Sequence, residues 1–312
     1  MKIVAVVNTH NRLALLQECI QKVKKQSYPV DKLIVINNGS TDGTEEWLKA
    51  QSGIITFTQP NHGGAFGFHR GIKEAYQLAP DWIWIMDDDT IPGENALEAL
   101  VQKLQQLGSR ENEFGFLSSN VIWIDQSTHN KNRLPFEEKP YSFNGTPINN
   151  LHPVPSGTFV SLLVSYKAVD KVGLPIKEFF IWYDDVEYTE RIVRYGFKGG
   201  FVKDSLVLHK TADNLNNNVF SDDVHAHWKY YYGFRNGLYL RKLRKGSGSY
   251  YRNVLKHLLV WPFLIFSKRT NNRWRFTKVM WLGTVASLTF RPKHEVFTGI
   301  TTGNAAEQSG IN

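Results

Sequence analysis

The chain of 312 residues is long enough for one large domain, or for one domain with an appendage. Hydrophobic residues make up 42% and charged residues 21%, which excludes a disordered chain and indicates an ordinary globular protein. The net charge of +8 is uneven, since residues 213–312 hold 15 Lys and Arg against 5 Asp and Glu, whereas residues 1–212 carry a net charge of −2. A basic, aromatic region after a near-neutral one indicates an anionic partner surface, either membrane lipid or nucleic acid.

The sequence opens directly in an apolar strand pattern with no secretory leader ahead of it. Cys19 is the one cysteine, so the chain can form no internal disulfide and fits a reducing compartment. Cys19 lies in an apolar helical pattern, which is typical of a small core residue. We therefore expect a cytoplasmic protein.

The first half of the chain alternates strands with helices. Four apolar runs predict strands: Lys2–Val7, Leu33–Ile36, Ile54–Phe57 and Trp82–Met86. Helical patterns fall between them, and a further helix is expected from about Glu94 to Leu107. This alternation predicts an α/β fold, with a mostly parallel central sheet flanked by helices on both faces.

The second half is less regular. Residues 130–155 are polar, with several Pro and Asn, and predict a long loop, mobile over a site. Thr158–Ser165 and Phe201–Leu208 predict further strands, and a helix ending before Gly196 is expected between them. Beyond Val224 the pattern becomes helical, aromatic and basic.

These patterns predict three parts: an α/β catalytic domain over residues 1–212, a C-terminal helical region over 213–300, and a flexible tail over 301–312. The helical region contains the nine-residue apolar run Leu258–Phe266, which is too short to span a bilayer because a spanning helix needs about 20 residues. Two interpretations of the region stay open. It lies in the plane of a membrane surface, or it packs on the main domain or on another subunit as a homo-oligomer contact.

Ligands bind at the carboxyl ends of strands in sheets of this kind. Three polar clusters fall at such ends: Asn8–Arg12, Asn37–Asp42 and Asp87–Asp89. Because these ends share one edge of the sheet, we expect the three clusters to form one site.

The acidic triplet Asp87–Asp89 follows a core strand. Adjacent carboxylates repel one another unless they share a cation, and hard oxygen ligands suit Mg²⁺ or Mn²⁺. A bound metal could neutralise the charge on a departing nucleotide. The alternative is a solvated acidic turn, which the position at a strand end disfavours.

Two further positions are chemical candidates. His209 follows the last strand, where it is either a metal ligand beside the carboxylates or an ordinary histidine. Asp184 and Asp185 come just after Trp182, and a carboxylate there could act as a general base or cap the following helix. Trp182 could stack on a sugar or belong to the core.

A glycine-rich stretch, Asn61–Gly67, leads into a helix whose first turn can approach a phosphate. His69 and Arg70 lie on the same helix and could meet a diphosphate. The stretch is neither a Walker A loop nor a GxGxxG motif after the first strand, which counts against a dinucleotide oxidoreductase.

Together these segments resemble the family 2 inverting glycosyltransferases of GT-A fold, and within them the bacterial galactofuranosyl- and rhamnosyltransferases. The resemblance covers roughly residues 1–240. The segments that carry it are Val4–Arg12 (VAVVNTHNR), Val35–Thr44 (VINNGSTDGT), Asn61–Gly71 (NHGGAFGFHRG), Met86–Asp89 (MDDD), Trp182–Tyr188 (WYDDVEY), His209 and Tyr230–Gly237 (YYYGFRNG). Two departures are visible: Asn38 stands where many members have Asp, and an extra tyrosine separates Trp182 from the Asp pair.

The resemblance implies a role for each matching position. Asp87 and Asp89 match the metal-binding carboxylates, and His209 matches a third ligand for Mn²⁺ or Mg²⁺. Asp185 matches the catalytic base and Asp184 its neighbour. The positions implied to bind the nucleotide sugar are Thr9, Asn11, Arg12, Asn38, Gly64, Arg70, Asp87, Asp88 and Trp182.

The implied reaction is a single displacement that inverts configuration at the anomeric carbon. The expected donor is of the UDP-galactofuranose or dTDP-rhamnose type, and the expected acceptor is a glycan or lipid-linked glycan of a bacterial surface polysaccharide. We expect peripheral attachment at the cytoplasmic face of the inner membrane and no nucleic-acid partner. The alternatives are a nucleic-acid-binding module, motivated by the basic region, and a non-catalytic glycan binder.

Overall fold

A computed structural model describes residues 1–132 and 134–297. The predicted tail over 301–312 lies outside these residues. Four parallel strands form the first half of the central sheet in the order β3-β2-β1-β4. Their bounds are β1 Ile3–Thr9, β2 Lys32–Asn37, β3 Ile54–Thr58 and β4 Trp82–Asp87. The helices between them are α1 Leu13–Lys24, α2 Thr44–Lys49 and α3 Gly64–Gln77.

The second half of the sheet is mixed. Its strands are β5 Thr90–Pro92, β6 Phe114–Ile122, β9 Leu151–Pro153, β10 Leu162–Ser165 and β11 Lys198–His209. β10 lies antiparallel between β4 and β6, β11 runs parallel to β6, and β5 and β9 pair antiparallel with β11. The helices here are α4 Ala96–Leu107, α5 Tyr166–Val172 and α6 Asp184–Arg194.

The α/β fold with a large sheet between helices and with C-terminal helices is therefore confirmed. All seven residues of β1 are buried, as expected for a strand covered on both faces. One apolar cluster packs on each side of the sheet, the first around Leu16 and Trp84 and the second around Ile72 and Phe116. This buried sheet gives the strand ends a rigid support.

Two expectations for the second half need correction. The strand predicted over Thr158–Ser165 begins only at Leu162, because Ser161 adopts a positive φ of 56° and turns its hydroxyl to accept from Trp84 Nε1 at 2.9 Å. The predicted loop over residues 130–155 contains a 3-10 turn (Asn130–Asn132), the hairpin strands β7 (Ser142–Phe143) and β8 (Thr146–Pro147), and β9.

Three helices follow the sheet: α7 Lys229–Leu259, α8 Trp261–Lys268 and α9 Arg273–Thr289. α7 is kinked at Gly246, whose φ of 73° and ψ of 176° are not helical. α9 approaches α7 closely at Gly283, where a Cβ atom would lie 2.2 Å from the carbonyl oxygen of Tyr231. None of the helices within 1–132 and 134–297 is long and apolar enough to cross a membrane.

The chain then returns to the α/β part through residues 291–297, which we call the C-terminal strap. The Leu174 amide donates to the Glu295 carbonyl at 2.8 Å. The Glu295 carboxylate lies 2.6 Å from Lys73 Nζ and 3.2 Å from His69 Nε2, both on α3. Phe297 stacks on Tyr76 with ring centroids 3.6 Å apart. The strap thus ties the helical region to the helix that begins at the glycine-rich stretch.

Candidate active site

A cavity of about 620 Å³ opens at the carboxyl ends of β1 and β4, and we call it the donor cavity. It collects most of the residues singled out in the sequence, although they come from six separate segments. Those that line it are Thr9, Arg12, Asn38, Gly64, Asp87, Asp88, Asp89, Trp182, Asp184, Asp185 and His209. The shared edge of the sheet therefore brings the three polar clusters together as expected.

Asn11 and Arg70 lie outside this lining. The Asn11 side chain accepts from the Thr41 amide at 2.7 Å and so shapes the turn after β2. Arg70 Nη1 donates to Gln59 Oε1 at 3.2 Å, and the guanidinium sits 5.0 Å from the centre of the Phe57 ring. Neither side chain faces the site as the structure stands.

Asn38, whose substitution for Asp was noted in the sequence, belongs to a buried amide chain. Its Nδ2 donates to Asn8 Oδ1 at 2.6 Å, and its Oδ1 accepts from Gln59 Nε2 at 2.6 Å. Gly67 is required beside this chain, because a Cβ atom there would lie 2.0 Å from Asn8 Oδ1. The amide chain explains how a neutral residue is accommodated here without an unpaired buried group.

The carboxylate of Asp88 is held at the end of β1. Thr9 Oγ1 donates to Asp88 Oδ2 at 2.7 Å, and both residues are buried. Burial raises the pKa of Asp88 to about 6, even though the Thr9 hydrogen bond acts to lower it. Asp88 is therefore fixed in place and turned towards the carboxyl end of β1.

Asp89 is the carboxylate of the triplet that contacts both His209 and Arg12. Burial alone would raise its pKa, but hydrogen bonds and charge from His209 and Arg12 lower the pKa to about 2. His209 Nε2 lies 3.0 Å from Asp89 Oδ1, and Arg12 Nη1 contacts Oδ2. The Lys210 amide donates to the Asp89 carbonyl at 2.9 Å, which locks the end of β11 to the triplet.

Asp87 is only half-buried and faces the cavity. Burial and the charges of Asp89 and Asp88 raise its pKa well above the ordinary value. Three crowded carboxylates whose repulsion is relieved by one arginine form a donor set that suits a hard divalent cation.

Within 1–132 and 134–297, no group of three or more His, Cys, Asp or Glu side chains is arranged to hold a metal by itself. Mg²⁺ is commonly bound by one or two carboxylates together with the phosphates of a substrate. The triplet fits that second kind of site, in which oxygens of a substrate would complete the coordination.

The His209 ring is also held by Asn132, on the side away from Asp89, and by His129. Its Nδ1 lies 2.7 Å from Asn132 Oδ1, and its ring packs against His129 with centroids 4.6 Å apart. Burial and the charge of His209 lower the pKa of His129 to about 4, so His129 adds no positive charge here at neutral pH. Asn132 was not singled out by sequence reasoning, because it lies in a polar stretch with several other asparagines.

α3 presents its first turn to the donor cavity through Gly63 and Gly64. Gly63 has a φ of 92°, and a Cβ atom there would lie 2.3 Å from the carbonyl oxygen of Phe180. That same carbonyl accepts from the Ala65 amide at 3.2 Å. The glycines thus allow the segment before α6 to lie directly against the start of α3.

The segment before α6 is strained. Trp182 and Tyr183 have positive φ angles of 66° and 70°, a conformation that bulky residues rarely adopt. Asn236 on α7 holds the turn, because its Nδ2 donates to the carbonyls of Phe179, Ile181 and Trp182 at 3.0, 3.1 and 2.9 Å. Asn236 was missed as a functional residue, although the segment Tyr230–Gly237 contains it.

This turn delivers two carboxylates into the first turn of α6. No side chain caps the helix at Tyr183, so the capping interpretation of the Asp pair is not supported there. Burial raises the pKa of Asp185 to about 6, although the Val186 amide donates to its Oδ1 at 2.7 Å. Burial and the Asp185 charge raise the pKa of Asp184 to about 8. A carboxylate with a pKa near 6 is suited to accept a proton at neutral pH.

A second cavity of about 680 Å³ meets the donor cavity at Trp182, Tyr183 and Asp185, and we call it the acceptor cavity. Its far wall comes from α7 and α8. That wall is aromatic and basic: Tyr230, Phe234, Arg241, Arg244, Lys245, His257 and Trp261. Asp185 is the carboxylate in its lining.

Solved structures with the same fold are glycosyltransferases. The chain superposes with a TM-score of 0.54 on a crystal structure of GalNAc-T7 with UDP, GalNAc and Mn²⁺, at 14% identity, covering 76% of this chain but only about half (51%) of that chain. It superposes with a TM-score of 0.50 on the mannosyltransferase PcManGT from Pyrobaculum calidifontis in complex with GDP-Man and Mn²⁺, at 13% identity, covering 92% of this chain and 87% of that chain. These superpositions show that the chain has the GT-A fold.

The sequence places the chain in a family. The model of glycosyl transferase family 2 matches residues 4–163, and the chain belongs to that family. It is 27% identical over 256 residues to the galactofuranosyltransferase GlfT1 of Mycolicibacterium smegmatis, covering 76% of this chain and 82% of the relative. It is 26% identical over 298 residues to GlfT1 of Mycobacterium tuberculosis, covering 89% and 94%. The resemblance to galactofuranosyltransferases is thereby confirmed.

Proposed function

We propose that this family 2 glycosyltransferase is a metal-dependent, inverting enzyme. In this proposal it transfers a sugar from a nucleotide-sugar donor to a glycan or lipid-linked glycan acceptor in bacterial surface polysaccharide synthesis. The observation that carries the proposal is the position of Asp185. It lies where the two cavities meet and belongs to a carboxylate pair separate from the acidic triplet.

The proposed binding of the nucleotide-sugar donor rests on the acidic triplet Asp87–Asp89 at the carboxyl end of β4. Asp87 and Asp89, with His209, would hold Mn²⁺ or Mg²⁺, which supplies positive charge to the diphosphate leaving group when it is bound. The first turn of α3 at Gly64 offers backbone amides to the diphosphate. Thr9 and the Asn38 amide chain form the wall on which the nucleoside would lie.

Two lysines, Lys131 and Lys229, also line the donor cavity, and their positive charge supports the binding of an anionic ligand there. Lys229 lines it at the start of α7, and burial together with the charges of Arg12 and Lys131 lowers the Lys229 pKa. A lysine crowded by other cations is stabilised by an incoming phosphate. The helical region therefore contributes to donor binding as well as to the acceptor side.

Asp185 would accept the proton of the acceptor hydroxyl. The hydroxyl oxygen then attacks the anomeric carbon from the acceptor cavity, on the face opposite the leaving group, and configuration inverts. Burial disfavours the charged form of Asp185, so its carboxylate is a stronger base than one in water. Asp184 stays protonated at neutral pH because its pKa is about 8, and it can donate a hydrogen bond to a sugar hydroxyl.

The donor is proposed to be of the UDP-galactofuranose or dTDP-rhamnose type. The similarity to galactofuranosyltransferases over most of the chain supports the first of these. The acceptor cavity suits a sugar that carries an anionic group. Aromatic side chains offer faces for sugar rings, while Arg241 and Lys245 offer positive charge.

The helical region supports peripheral binding to an anionic membrane. Between Asp223 and Glu295 the sequence has 15 Lys and Arg and no acidic residue. Large apolar side chains of the same region are exposed, among them Phe263 at 76% and Leu259 at 64%. Exposed apolar side chains next to unbalanced positive charge fit a bilayer with anionic lipid. In this proposal residues 1–212 carry the chemistry and residues 213–300 make the membrane contact.

A donor screen tests the proposed function. Purified protein is mixed with Mn²⁺ or Mg²⁺, a set of acceptor glycans, and UDP-, dTDP- or GDP-sugars, and released nucleoside diphosphate is measured. We expect release with one UDP- or dTDP-sugar and an inverted anomeric configuration in the product by NMR. A retained configuration, or release that is equal with and without divalent metal, would overturn the mechanism.

Vesicle flotation tests the membrane proposal separately. We expect binding to vesicles that contain anionic lipid and much weaker binding to neutral vesicles. Equal binding to both, combined with a dimer in solution, would favour the homo-oligomer interpretation of the apolar face.

A further inference from the structure

The hydrogen bonds around His209 point to a residue that no motif includes. Asn132, in the 3-10 turn Asn130–Asn132, lies on the side of the His209 ring opposite Asp89. Its Oδ1 is 2.7 Å from His209 Nδ1, and its Nδ2 donates to Thr158 Oγ1 at 3.2 Å. The Asn132 amide therefore presents its oxygen to the ring and its nitrogen to the threonine.

This orientation decides which ring nitrogen of His209 carries a proton. An amide oxygen only accepts hydrogen bonds, so Nδ1 of His209 must be the N–H that donates to it. In the neutral imidazole the lone pair is then on Nε2. Nε2 is the atom that faces the triplet, 3.0 Å from Asp89 Oδ1.

Nε2 can then carry either a second proton, which it donates to Asp89, or a divalent cation shared with that carboxylate. A metal takes the place of the Nε2 proton because it binds the neutral imidazole, while Asn132 keeps the proton on Nδ1. If the proton were instead on Nε2, the ring would donate to Asp89 and could not bind a metal through that atom.

We propose that Asn132 is a positioning residue that fixes the tautomer of His209 in which Nε2 is free to bind the metal. Histidine ligands commonly donate their other ring N–H to a second residue, and removing that partner weakens metal binding by roughly 10–100-fold. The inference rests on the proposed metal site and assigns to the polar stretch after β6 a part in building it.

The surroundings allow Asn132 to hold this orientation. The backbone N–H of Asn132 donates to the His129 carbonyl at 3.1 Å, so the backbone of Asn132 is part of the turn. The His129 ring lies against the His209 ring and restrains its rotation. His129 Nε2 is 2.8 Å from Thr211 Oγ1, which connects the turn to the residues just after β11.

Two substitutions separate this role from a structural one. Asn132→Asp keeps an oxygen acceptor opposite Nδ1, whereas Asn132→Leu has a similar size and removes it. Asn130→Leu is the matched control, because Asn130 lies in the same turn and its side chain bonds to Asn214 rather than to His209. Mn²⁺ affinity of the full chain is measured by electron paramagnetic resonance, with and without UDP.

We expect Asn132→Leu to weaken Mn²⁺ binding by roughly 10–100-fold, while Asn132→Asp and Asn130→Leu stay within about threefold of the parent. In the Mg²⁺-loaded parent protein, ¹⁵N NMR of the His209 ring should show a proton on Nδ1 and none on Nε2. A proton on Nε2, unchanged affinity in Asn132→Leu, or weaker affinity in Asn132→Asp than in Asn132→Leu would overturn the role of Asn132. Absence of Mn²⁺ binding in the parent protein would instead refute the proposed metal site itself.

Discussion

Replacing Asp185 with Asn tests the proposed base, because the substitution should lower turnover and raise the stability of the fold. The two side chains have nearly the same shape, and the Asn oxygen can still accept from the Val186 amide. The substitution removes the proton acceptor, and a positioned general base typically contributes about 10²–10⁴-fold to rate. We therefore expect turnover to fall by at least about a hundredfold while nucleotide binding changes little.

The same substitution should stabilise the fold at neutral pH. Burial raises the folded-state pKa of Asp185 to about 6 from an ordinary value of 3.8. The folded protein thus holds its proton more tightly than the unfolded chain, so stability is lost as pH rises between these two values. At about 1.4 kcal/mol per unit, the buried charge costs on the order of 3 kcal/mol above pH 6. The Asn variant avoids this cost.

Thermal or urea unfolding at pH 7.5 and pH 3.5 measures the effect. We expect the Asn variant to be more stable than the parent protein at pH 7.5 and within about 0.3 kcal/mol of it at pH 3.5, where Asp185 is protonated in the folded state and mostly protonated in the unfolded chain. Glu46→Gln is a matched control, since Glu46 is an exposed carboxylate in the first turn of α2. A variant that keeps more than a tenth of the parent turnover, or that loses stability at pH 7.5, would refute this account of Asp185.

Three other predictions concern separate parts of the molecule. Turnover of the unmodified enzyme should fall as pH drops below about 6, following protonation of Asp185; a pH profile of kcat that is flat from 5 to 8 would contradict this. Gly67→Ala should weaken nucleotide binding and lower the free energy of unfolding by roughly 1–3 kcal/mol, because its Cβ would meet Asn8 Oδ1 at 2.0 Å; calorimetry with the nucleoside diphosphate measures both. Phe263→Ser should weaken binding to anionic vesicles by roughly tenfold or more, the loss expected for one buried phenylalanine. Leu215→Ser, which changes an equally exposed residue outside the helices, should leave vesicle binding unchanged.

The sequence predicted the first half of the sheet well, and it predicted that the polar strand ends lie together at one edge. The strands β1, β2 and β4 each contain an apolar run that ends in polar residues, so both the strands and their polar ends are visible in the sequence. The acidic triplet, His209 and Asp185 could each be identified because each follows a recognisable element. Their meeting in one cavity follows from the shared edge of a parallel sheet.

The second half could not be predicted in the same way. The short strand β10 inserts antiparallel between β4 and β6, and its partners are far away in the sequence. The side chains of Asn132 and Asn236 make hydrogen bonds whose partners are set by tertiary structure. The second cavity arises only when α7 and α8 fold back beside Asp185, so no local pattern announces it.

The C-terminal strap has a consequence for how the protein is made. His69 and Glu295, which it joins, are separated by 226 positions in the chain. At about 5–20 residues per second, a ribosome needs roughly 10–45 s to add the residues between them. During that interval α3 is already synthesised, but it lacks the contacts of His69 and Lys73 with Glu295. Synthesis of Glu295, rather than completion of the sheet, therefore precedes full anchoring of α3, and nascent chains stalled before Glu295 should expose His69 to labelling.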